Sequence, residues 1–233
     1  MYIELKNAVK KYGDTSENMV YAINHADFGV NKGELCVVLG PSGSGKSTML
    51  NMLGGLDRLD EGSLIVDGKQ IMNLSDDELG EYRRRDVGFV FQFFNLIPDL
   101  TVEENIQVVS DISESPMDIN EVLAALGIAA LKDRFPKELS GGQQQRVAIA
   151  RSIIKNPKIL LCDELTGALD SKASKEVISF VDKINREFGT TIIIITHNEA
   201  IKDVADRIVR IKDGKIASDV LNSNRRKAED IEL

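Results

Sequence analysis

A glycine-rich stretch that follows a short apolar run has the residue types and spacing of a phosphate-binding loop. The run is Leu35 to Leu39, and the loop reads Gly40-Pro41-Ser42-Gly43-Ser44-Gly45-Lys46-Ser47-Thr48. Glycines let consecutive backbone N–H groups turn toward a polyphosphate, and a helix that begins here adds the positive end of its dipole. In that arrangement Lys46 reaches the β- and γ-phosphates and the Ser47 hydroxyl holds Mg²⁺. The alternative is a turn that binds nothing, but apolar residues at helical spacing from Met49 to Leu53 favour the phosphate loop.

Two adjacent carboxylates follow a second apolar run. Lys158 to Cys162 predicts a buried strand, and Asp163 and Glu164 stand at its carboxyl end, where ligands gather in α/β sheets. Strand alternation sends Asp163 toward the Mg²⁺ shell and leaves Glu164 to address an attacking water. The alternative is a solvated acidic pair. His197 ends the strand from Thr191 to Thr196, and we expect it to contact the γ-phosphate rather than to be merely hydrogen-bonded.

A second predicted anion site lies further along the chain. Leu139-Ser140-Gly141-Gly142-Gln143 leads into an apolar-faced helix from Val147 to Lys155. Ser140 caps this helix and Gln143 closes the capping box. Because a cap alone does not need two successive glycines, bare N–H groups here predict anion binding. The distance along the chain leaves open whether these groups serve the same phosphates.

Two apolar features indicate binding surfaces. Tyr12 is an aromatic residue before the phosphate loop, and it either stacks on a flat base or covers a sheet edge. Phe93 to Pro98 follows the predicted strand Val87 to Phe91 and Gln92, and it is more apolar than a solvated connection needs. This loop either marks a partner site or packs under the adjacent helices.

Composition and element order bound the fold class. The chain has 233 residues, is 42% hydrophobic and alternates strand and helix patterns, which indicates one α/β domain with a sub-lobe. Residues 2–7 and about 20–30 read as strands, Asp67-Gly68 predicts a hairpin, and residues 93–156 are helical in pattern. We expect the polar stretch Asp14 to Asn18 to form a loop and the tail Asn222 to Leu233 to be frayed.

Net charge, the length of the apolar runs and the position of the cysteines limit the expected partners and location of the protein. The net charge of −8 argues against a nucleic-acid partner, because phosphate backbones are bound through clustered Lys and Arg. The apolar runs are far shorter than the roughly 20 residues that cross a bilayer, so membrane contact is expected to go through a partner. Cys36 and Cys162 lie in predicted buried strands, where reduced thiols fit the cytoplasm.

Taken in order, these motifs resemble those of the ATP-binding cassette (ABC) ATPases, the nucleotide-binding subunits of ABC transporters, over essentially the whole chain. The matching residues are Tyr12 for the base-stacking aromatic, Gly40 to Thr48 for the Walker A loop, Gln92 for the Q-loop, Leu139 to Gln143 for the LSGGQ signature, Ile159 to Asp163 for Walker B, Glu164 for the catalytic carboxylate, Ala168-Leu169-Asp170 for the D-loop and His197 for the switch histidine.

The resemblance implies a fold and a mechanism. The fold is a P-loop core with a largely parallel sheet (residues 1–92 and 157–233), an antiparallel β lobe and a helical subdomain (residues 93–156). A homodimer sandwiches each ATP between the Walker A loop of one subunit and Ser140, Gly141, Gly142 and Gln143 of the other. Glu164, His197 and Gln92 are catalytic, and Ser47, Gln92 and Asp163 hold Mg²⁺. Leu165 departs from the usual proline after the catalytic Glu, which leaves that turn less pre-organised.

Finer features resemble the MacB/LolD/FtsE branch. They are Gly55-Leu56-Asp57, the run from Val87 to Pro98, Leu100 to Asn105, and Gly167 to Asp170. The resemblance implies a permease that docks at Phe93 to Pro98, and a location on the cytoplasmic face of the cell membrane. The expected function is export or extraction of a lipoprotein, peptide or antibiotic, and the alternative is an FtsE-like switch that signals without net transport. A P-loop GTPase or kinase would leave the LSGGQ stretch unexplained.

Overall fold

The computed structural model describes residues 1–13, 15 and 18–231 of the chain, and its centre is a six-stranded sheet. Its strands are β3 Leu35–Leu39, β6 Val87–Val90, β7 Ile159–Asp163, β8 Thr191–Thr196, β9 Arg207–Lys212 and β10 Lys215–Leu221. The strand order is β10-β9-β3-β8-β7-β6, where β9, β3, β8, β7 and β6 run parallel and β10 pairs antiparallel with β9.

A four-stranded antiparallel sheet packs beside the first, in the order β2-β1-β4-β5. Its strands are β1 Ile3–Tyr12, β2 Val20–Val30, β4 Glu61–Val66 and β5 Lys69–Gln70. Asp67 and Gly68 join β4 to β5 with φ angles of 51° and 76°, the left-handed pair that a tight hairpin turn requires. This predicted hairpin is confirmed, as is the predicted α/β class with a largely parallel sheet and an antiparallel lobe.

Six α-helices among the described residues cover the sheets. They are α1 Lys46–Leu53, α2 Asp76–Arg85, α3 Val102–Ser110, α4 Ile119–Ala125, α5 Gly141–Ile153 and α6 Ser171–Phe188. Residues 93–156, all of them described, contain α3, α4 and α5 and no strand. None of the helices in the described part of the chain combines the length and the apolar character that crossing a membrane requires.

Two hydrophobic clusters lie on opposite faces of the large sheet. Alternate residues of β3 divide between them: Leu35, Val37 and Leu39 join the cluster that holds α3, α4, α5 and α6 residues, while Cys36 and Val38 join the one that holds α1 and α2 residues. Because helices or the second sheet cover both faces, the central strands are apolar at nearly every position.

Two sequence expectations need correction. β1 continues to Tyr12 rather than ending near residue 7, because irregular register after Leu5 and a φ of 45° at Asn7 break the alternation of apolar and polar residues. The tail is not frayed as far as residue 231, since Ala228 and Ile231 are buried and Arg225 bonds Asp206 at 2.6 Å. Asp14, Ser16 and Glu17 of the predicted loop, and the last two tail residues, lie outside the described residues.

Candidate active site

The glycine-rich loop forms a tight turn between β3 and α1. Gly43 and Gly45 have φ angles of 77° and 102°, and a Cβ atom on Gly45 would lie 2.1 Å from the backbone oxygen of Ala22. Only glycine tolerates this conformation and this approach. Inside the turn, Lys46 Nζ donates to the carbonyl oxygens of Gly40 at 2.8 Å and Pro41 at 3.0 Å. The loop therefore curls around its own lysine, which is only 7% exposed.

One groove of about 560 Å³ gathers most of the predicted site residues, at the carboxyl ends of β3, β6, β7 and β8. Those that line it are Tyr12, Ser42, Gly43, Gly45, Lys46, Ser47, Thr48, Gln92, Asp163, Glu164 and His197. Ser44 lies just beneath, buried, with no hydrogen-bond partner for its hydroxyl among the described residues.

Glu164 is constrained in both its backbone and its side chain. Its φ of 47° places it in the left-handed region, where non-glycine residues are uncommon. Carboxylate oxygen Oε2 accepts from Thr196 Oγ1 at 3.0 Å, and Oε1 lies 3.1 Å from His197 Nδ1 and 4.0 Å from Lys46 Nζ. The predicted catalytic carboxylate thus lies beside the predicted γ-phosphate ligands. No sequence pattern singled out Thr196, which bonds Glu164 from the end of β8.

Asp163 and two neutral side chains offer oxygen ligands on the groove wall. Burial raises the pKa of the Asp163 carboxyl, the Ser47 hydroxyl acts in the opposite direction, and the charge of Glu164 adds to the rise. Asp163, Ser47 and Gln92 together supply one carboxylate, one hydroxyl and one amide oxygen. This donor set fits Mg²⁺, which uses one or two carboxylates and completes its shell with waters and substrate phosphates. It is not a self-sufficient cage, and the described residues contain no cluster of three or more His, Cys, Asp or Glu that would hold a metal alone.

Leu165 fixes the turn after Glu164 by packing. Its side chain is 2% exposed and belongs to the larger hydrophobic cluster. The turn also closes on itself, because Gly167 N donates to Glu164 O at 3.0 Å and Leu169 N donates to Thr166 O at 3.1 Å. Buried contacts therefore supply part of the order that a proline would supply at this position.

The start of α5 lies outside this groove. Ser140 caps the helix as predicted: its Oγ accepts from Gln143 N at 3.3 Å, and Gln143 Oε1 accepts from Ser140 N at 2.8 Å. The two glycines differ, however. A Cβ atom on Gly142 would lie 2.8 Å from Ala173 Cβ in α6, so close helix packing explains this glycine. Packing thus gives Gly142 a structural reason of its own, and anion binding by the N–H groups of both glycines stays a prediction; Ser140 is exposed and Gly141 half-buried.

Tyr12 is held by a residue that sequence reasoning did not assign. Its ring is 46% exposed, and its hydroxyl donates to Asp57 Oδ2 at 2.7 Å. Asp57 belongs to the Gly55-Leu56-Asp57 segment, which the sequence marked only as a subfamily feature. Tyr12 lines the groove and is held at its hydroxyl, and its stacking on a base stays a prediction.

The loop from Phe93 to Pro98 divides between the two alternatives. Phe94 and Leu96 pack against the larger cluster, whereas Phe93 is 73% exposed and Ile97 is 40% exposed. Two side chains hold the loop backbone. Arg151 Nη1 donates to Asn95 O at 2.8 Å, and the fully buried Asn105 bonds both backbone polar groups of Ile97. An asparagine inside an apolar helix face was the signal for this clamp.

We expect Asn105→Ala to loosen the loop and destabilise the protein. Asn105 also donates to Leu100 O and Thr101 O, so its removal leaves several buried groups without partners. The free energy of unfolding in urea should fall by about 2–4 kcal/mol, and the Ile97 amide should exchange faster. Gln107→Ala, on the exposed side of the same helix, is the control. A loss below about 0.5 kcal/mol, the size of an ordinary surface effect, would contradict the clamp.

Comparison with known proteins places this geometry in a family. The family model described as ABC transporter matches residues 23–167. The ABC transporter ATP-binding protein MJ0796 of Methanocaldococcus jannaschii is 44% identical over 223 residues, which are 92% of this chain and 94% of that protein. The macrolide export ATP-binding/permease protein MacB of Pasteurella multocida is 43% identical over 224 residues, which are 93% of this chain but 34% of MacB.

A longer relative and a solved structure also match this chain. An ABC transporter ATP-binding protein of Mycoplasma pneumoniae, the MG065 homolog, is 41% identical over 98% of this chain. This chain spans only half of that protein, 50% of its length. The dimeric post-hydrolysis structure of MJ0796 bound to ADP and Pi matches with a TM-score of 0.84 and 39% identity, over 94% of this chain and 98% of that one. The chain therefore belongs to the ABC transporter family, as an ATP-binding cassette ATPase.

Proposed function

We propose that the chain is the motor subunit of an exporter and hydrolyses ATP at the interface of a homodimer. The observation that carries this proposal is the division of the motifs: eleven predicted site residues line one groove, while the start of α5 stands apart from it with Ser140 exposed. A second copy would bring Ser140, Gly141, Gly142 and Gln143 onto the phosphates from the other side. The dimeric form of the MJ0796 structures supports this arrangement.

The groove residues divide the work of phosphoryl transfer. Lys46 exchanges its bonds to the Gly40 and Pro41 carbonyls for the β- and γ-phosphate oxygens, and the loop N–H groups bind the same polyphosphate. Bound Mg²⁺, held by Ser47, Gln92 and Asp163, would neutralise charge on the β- and γ-phosphate oxygens.

The remaining step is attack by water on the γ-phosphorus. Glu164 orients this water and takes its proton, while the bond from the γ-phosphorus to the bridging oxygen breaks and ADP leaves. His197 donates to the γ-phosphate and so stabilises the charge that spreads over its oxygens. The 3.1 Å contact between Glu164 Oε1 and His197 Nδ1 supports a shared role at one phosphate.

Residues 93–156 are proposed as a helical subdomain that links the groove to a permease. Gln92 lies in the groove, and the next residue, Phe93, is largely exposed. A partner that covers Phe93 and Ile97 would therefore press on a loop joined directly to a proposed Mg²⁺ ligand. The name of MacB as a fused ATP-binding/permease protein supports a membrane permease as this partner, and with it a peripheral location at the membrane.

Export is favoured over signalling without transport. MacB is named for macrolide export, and BceA of Halalkalibacterium halodurans, 38% identical over 92% of this chain, is named for bacitracin export. We propose an amphipathic peptide, lipoprotein or antibiotic as the class of substrate. Substrate-stimulated hydrolysis by the reconstituted complex is the expected result, and stimulation by permease without any effect of substrate would instead support the switch.

The dimer is tested by light scattering with Glu164→Gln. ATP is expected to double the mass of this variant, because ATP stays bound between two subunits, and Ser140→Arg added to it should abolish the doubling. Ser75→Arg is the matched control, since Ser75 caps α2 with the same capping box. A protein that binds ATP yet stays monomeric in every variant would contradict the homodimer.

A further inference from the structure

The connection between α1 and β4 ties down the exposed end of β1. Asp60 N donates to Val9 O at 2.9 Å, and Lys11 N donates to Asp60 Oδ2 at 2.6 Å. Lys10 Nζ reaches the same connection and donates to Arg58 O at 2.9 Å. These bonds join residues about fifty positions apart in the chain. They fix the strand end that carries Tyr12 to the segment that follows the phosphate-loop helix.

Asp57 is the centre of this connection. Its Oδ2 accepts from the Tyr12 hydroxyl at 2.7 Å, and its Oδ1 accepts from Lys10 Nζ at 2.6 Å and from Arg58 N at 2.7 Å. Both oxygens are therefore engaged, and the carboxylate is 28% exposed. Lys10 Nζ also lies 5.3 Å from the centre of the Tyr12 ring. The ring is thus held at its hydroxyl and contacted by a cation.

We propose that Asp57 is a positioning residue for nucleotide binding: it holds the Tyr12 ring in the orientation that stacks on the base. This inference rests on the proposed function, in which Tyr12 contacts the base. An aromatic residue fixed before binding loses less conformational freedom when the base arrives, so more of the stacking energy appears as affinity. Without the Asp57 bond the ring, at an exposed strand end, rotates about its side-chain torsions.

The segment that carries Asp57 also follows directly from the phosphate-loop helix. α1 begins at Lys46 in the phosphate loop, and Asp57 follows four residues after α1 ends at Leu53. Arg58, next to Asp57, is itself anchored by bonds to Met72 O and Leu74 O. The same rigid segment therefore sets the distance between the phosphate loop and the stacking ring. Asp57 acts on the base end of the ligand, and its hydrogen bonds among the described residues go to Lys10, Tyr12, Arg58 and Asn51 rather than to the phosphate loop.

The test separates the base from the phosphates. We expect Asp57→Ala and Tyr12→Phe each to weaken ATP binding about fivefold, because the ring still stacks on the base but is no longer held before the base arrives. Binding of magnesium tripolyphosphate, which has no base, should not change. In the hydrolysis assay KM for ATP should rise while kcat at saturation stays the same. The double variant should bind ATP no more weakly than Asp57→Ala alone, since both single changes remove the same hydrogen bond between Asp57 and the Tyr12 hydroxyl.

Asp76→Ala is the matched control, because Asp76 is a 95% exposed carboxylate that bonds Arg58 of the same connection at 2.8 Å, and this change should leave ATP affinity unchanged. If these variants bind ATP and tripolyphosphate more weakly to the same extent, or if their ATP affinity does not change, the positioning role is overturned. Tyr12→Ala separates this result from the proposed function. If only Tyr12→Ala lowers ATP affinity, the role of Asp57 is overturned but base stacking by Tyr12 stands. If Tyr12→Ala does not lower ATP affinity either, base stacking by Tyr12 is overturned as well.

Discussion

Glu164→Gln is expected to slow ATP hydrolysis by a factor of about 10²–10⁴, the usual contribution of a general base. Glutamine has nearly the same shape and can keep the bond from Thr196 Oγ1, but it cannot take a proton from water. ATP affinity should stay within a few-fold of the original, because the phosphate contacts come from the loop and Lys46. Single-turnover phosphate release measures the chemical step, and equilibrium titration with ATP measures affinity.

The control for this prediction is Glu187→Gln. Glu187 is an exposed carboxylate on α6 that lies 3.9 Å from Lys183 and is not among the residues that line the groove. The change in charge is the same, so hydrolysis by this variant should match that of the unaltered protein. If Glu164→Gln retained more than a tenth of the original rate, Glu164 would not be the base, and a water-orienting role for another groove residue would have to replace it.

Gly45→Ala is expected to disrupt the phosphate loop more than any other single methyl group. The added Cβ would meet Ala22 O at 2.1 Å, a backbone atom of β2 that cannot swing aside, at a φ of 102° that alanine strongly disfavours. Left-handed strain and overpacking together should lower the free energy of unfolding by about 2–5 kcal/mol. ATP affinity should fall at least about tenfold, since the adjacent Lys46 and loop N–H groups shift with the backbone.

A second glycine isolates the backbone cost from the clash. Gly68 has a φ of 76°, but a Cβ there would have no atom within 4 Å. Gly68→Ala should therefore lower stability by about 1 kcal/mol, as measured in urea, and leave ATP affinity unchanged. Wild-type stability together with wild-type ATP affinity in Gly45→Ala would contradict the close approach of Ala22 to the loop.

Local sequence determined the parts of the protein that depend on neighbouring residues. The phosphate loop between β3 and α1, the Asp67-Gly68 hairpin and the capping boxes of Ser75 and Ser140 each rest on interactions within a few residues. Apolar runs likewise marked β7 and β8, because strands buried on both faces need apolar residues at nearly every position. The order of the motifs along the chain was enough to identify the family, which the comparisons confirm.

Tertiary structure decided what depends on residues far apart in the chain. The proximity of Gly142 to Ala173 gave that glycine a packing role, and the contacts of Asn105 and Arg151 divided the Phe93 to Pro98 loop into packed and exposed positions. Leu165 proved to be buried, so its departure from proline is offset by packing. No local sequence pattern shows which side chains of two separate helices, strands or loops will lie next to each other.

The sequence by itself thus determined the α/β fold class, the family and eleven of the residues that line the groove, because each of these depends on short motifs. Only the tertiary structure decided how those residues are held. The bonds of Glu164 to Thr196 and of Tyr12 to Asp57 join residues 32 and 45 positions apart. They form only after β7 pairs with β8 and the connection after α1 packs on β1, since side-chain orientation at a site follows from the packing of the elements that carry it.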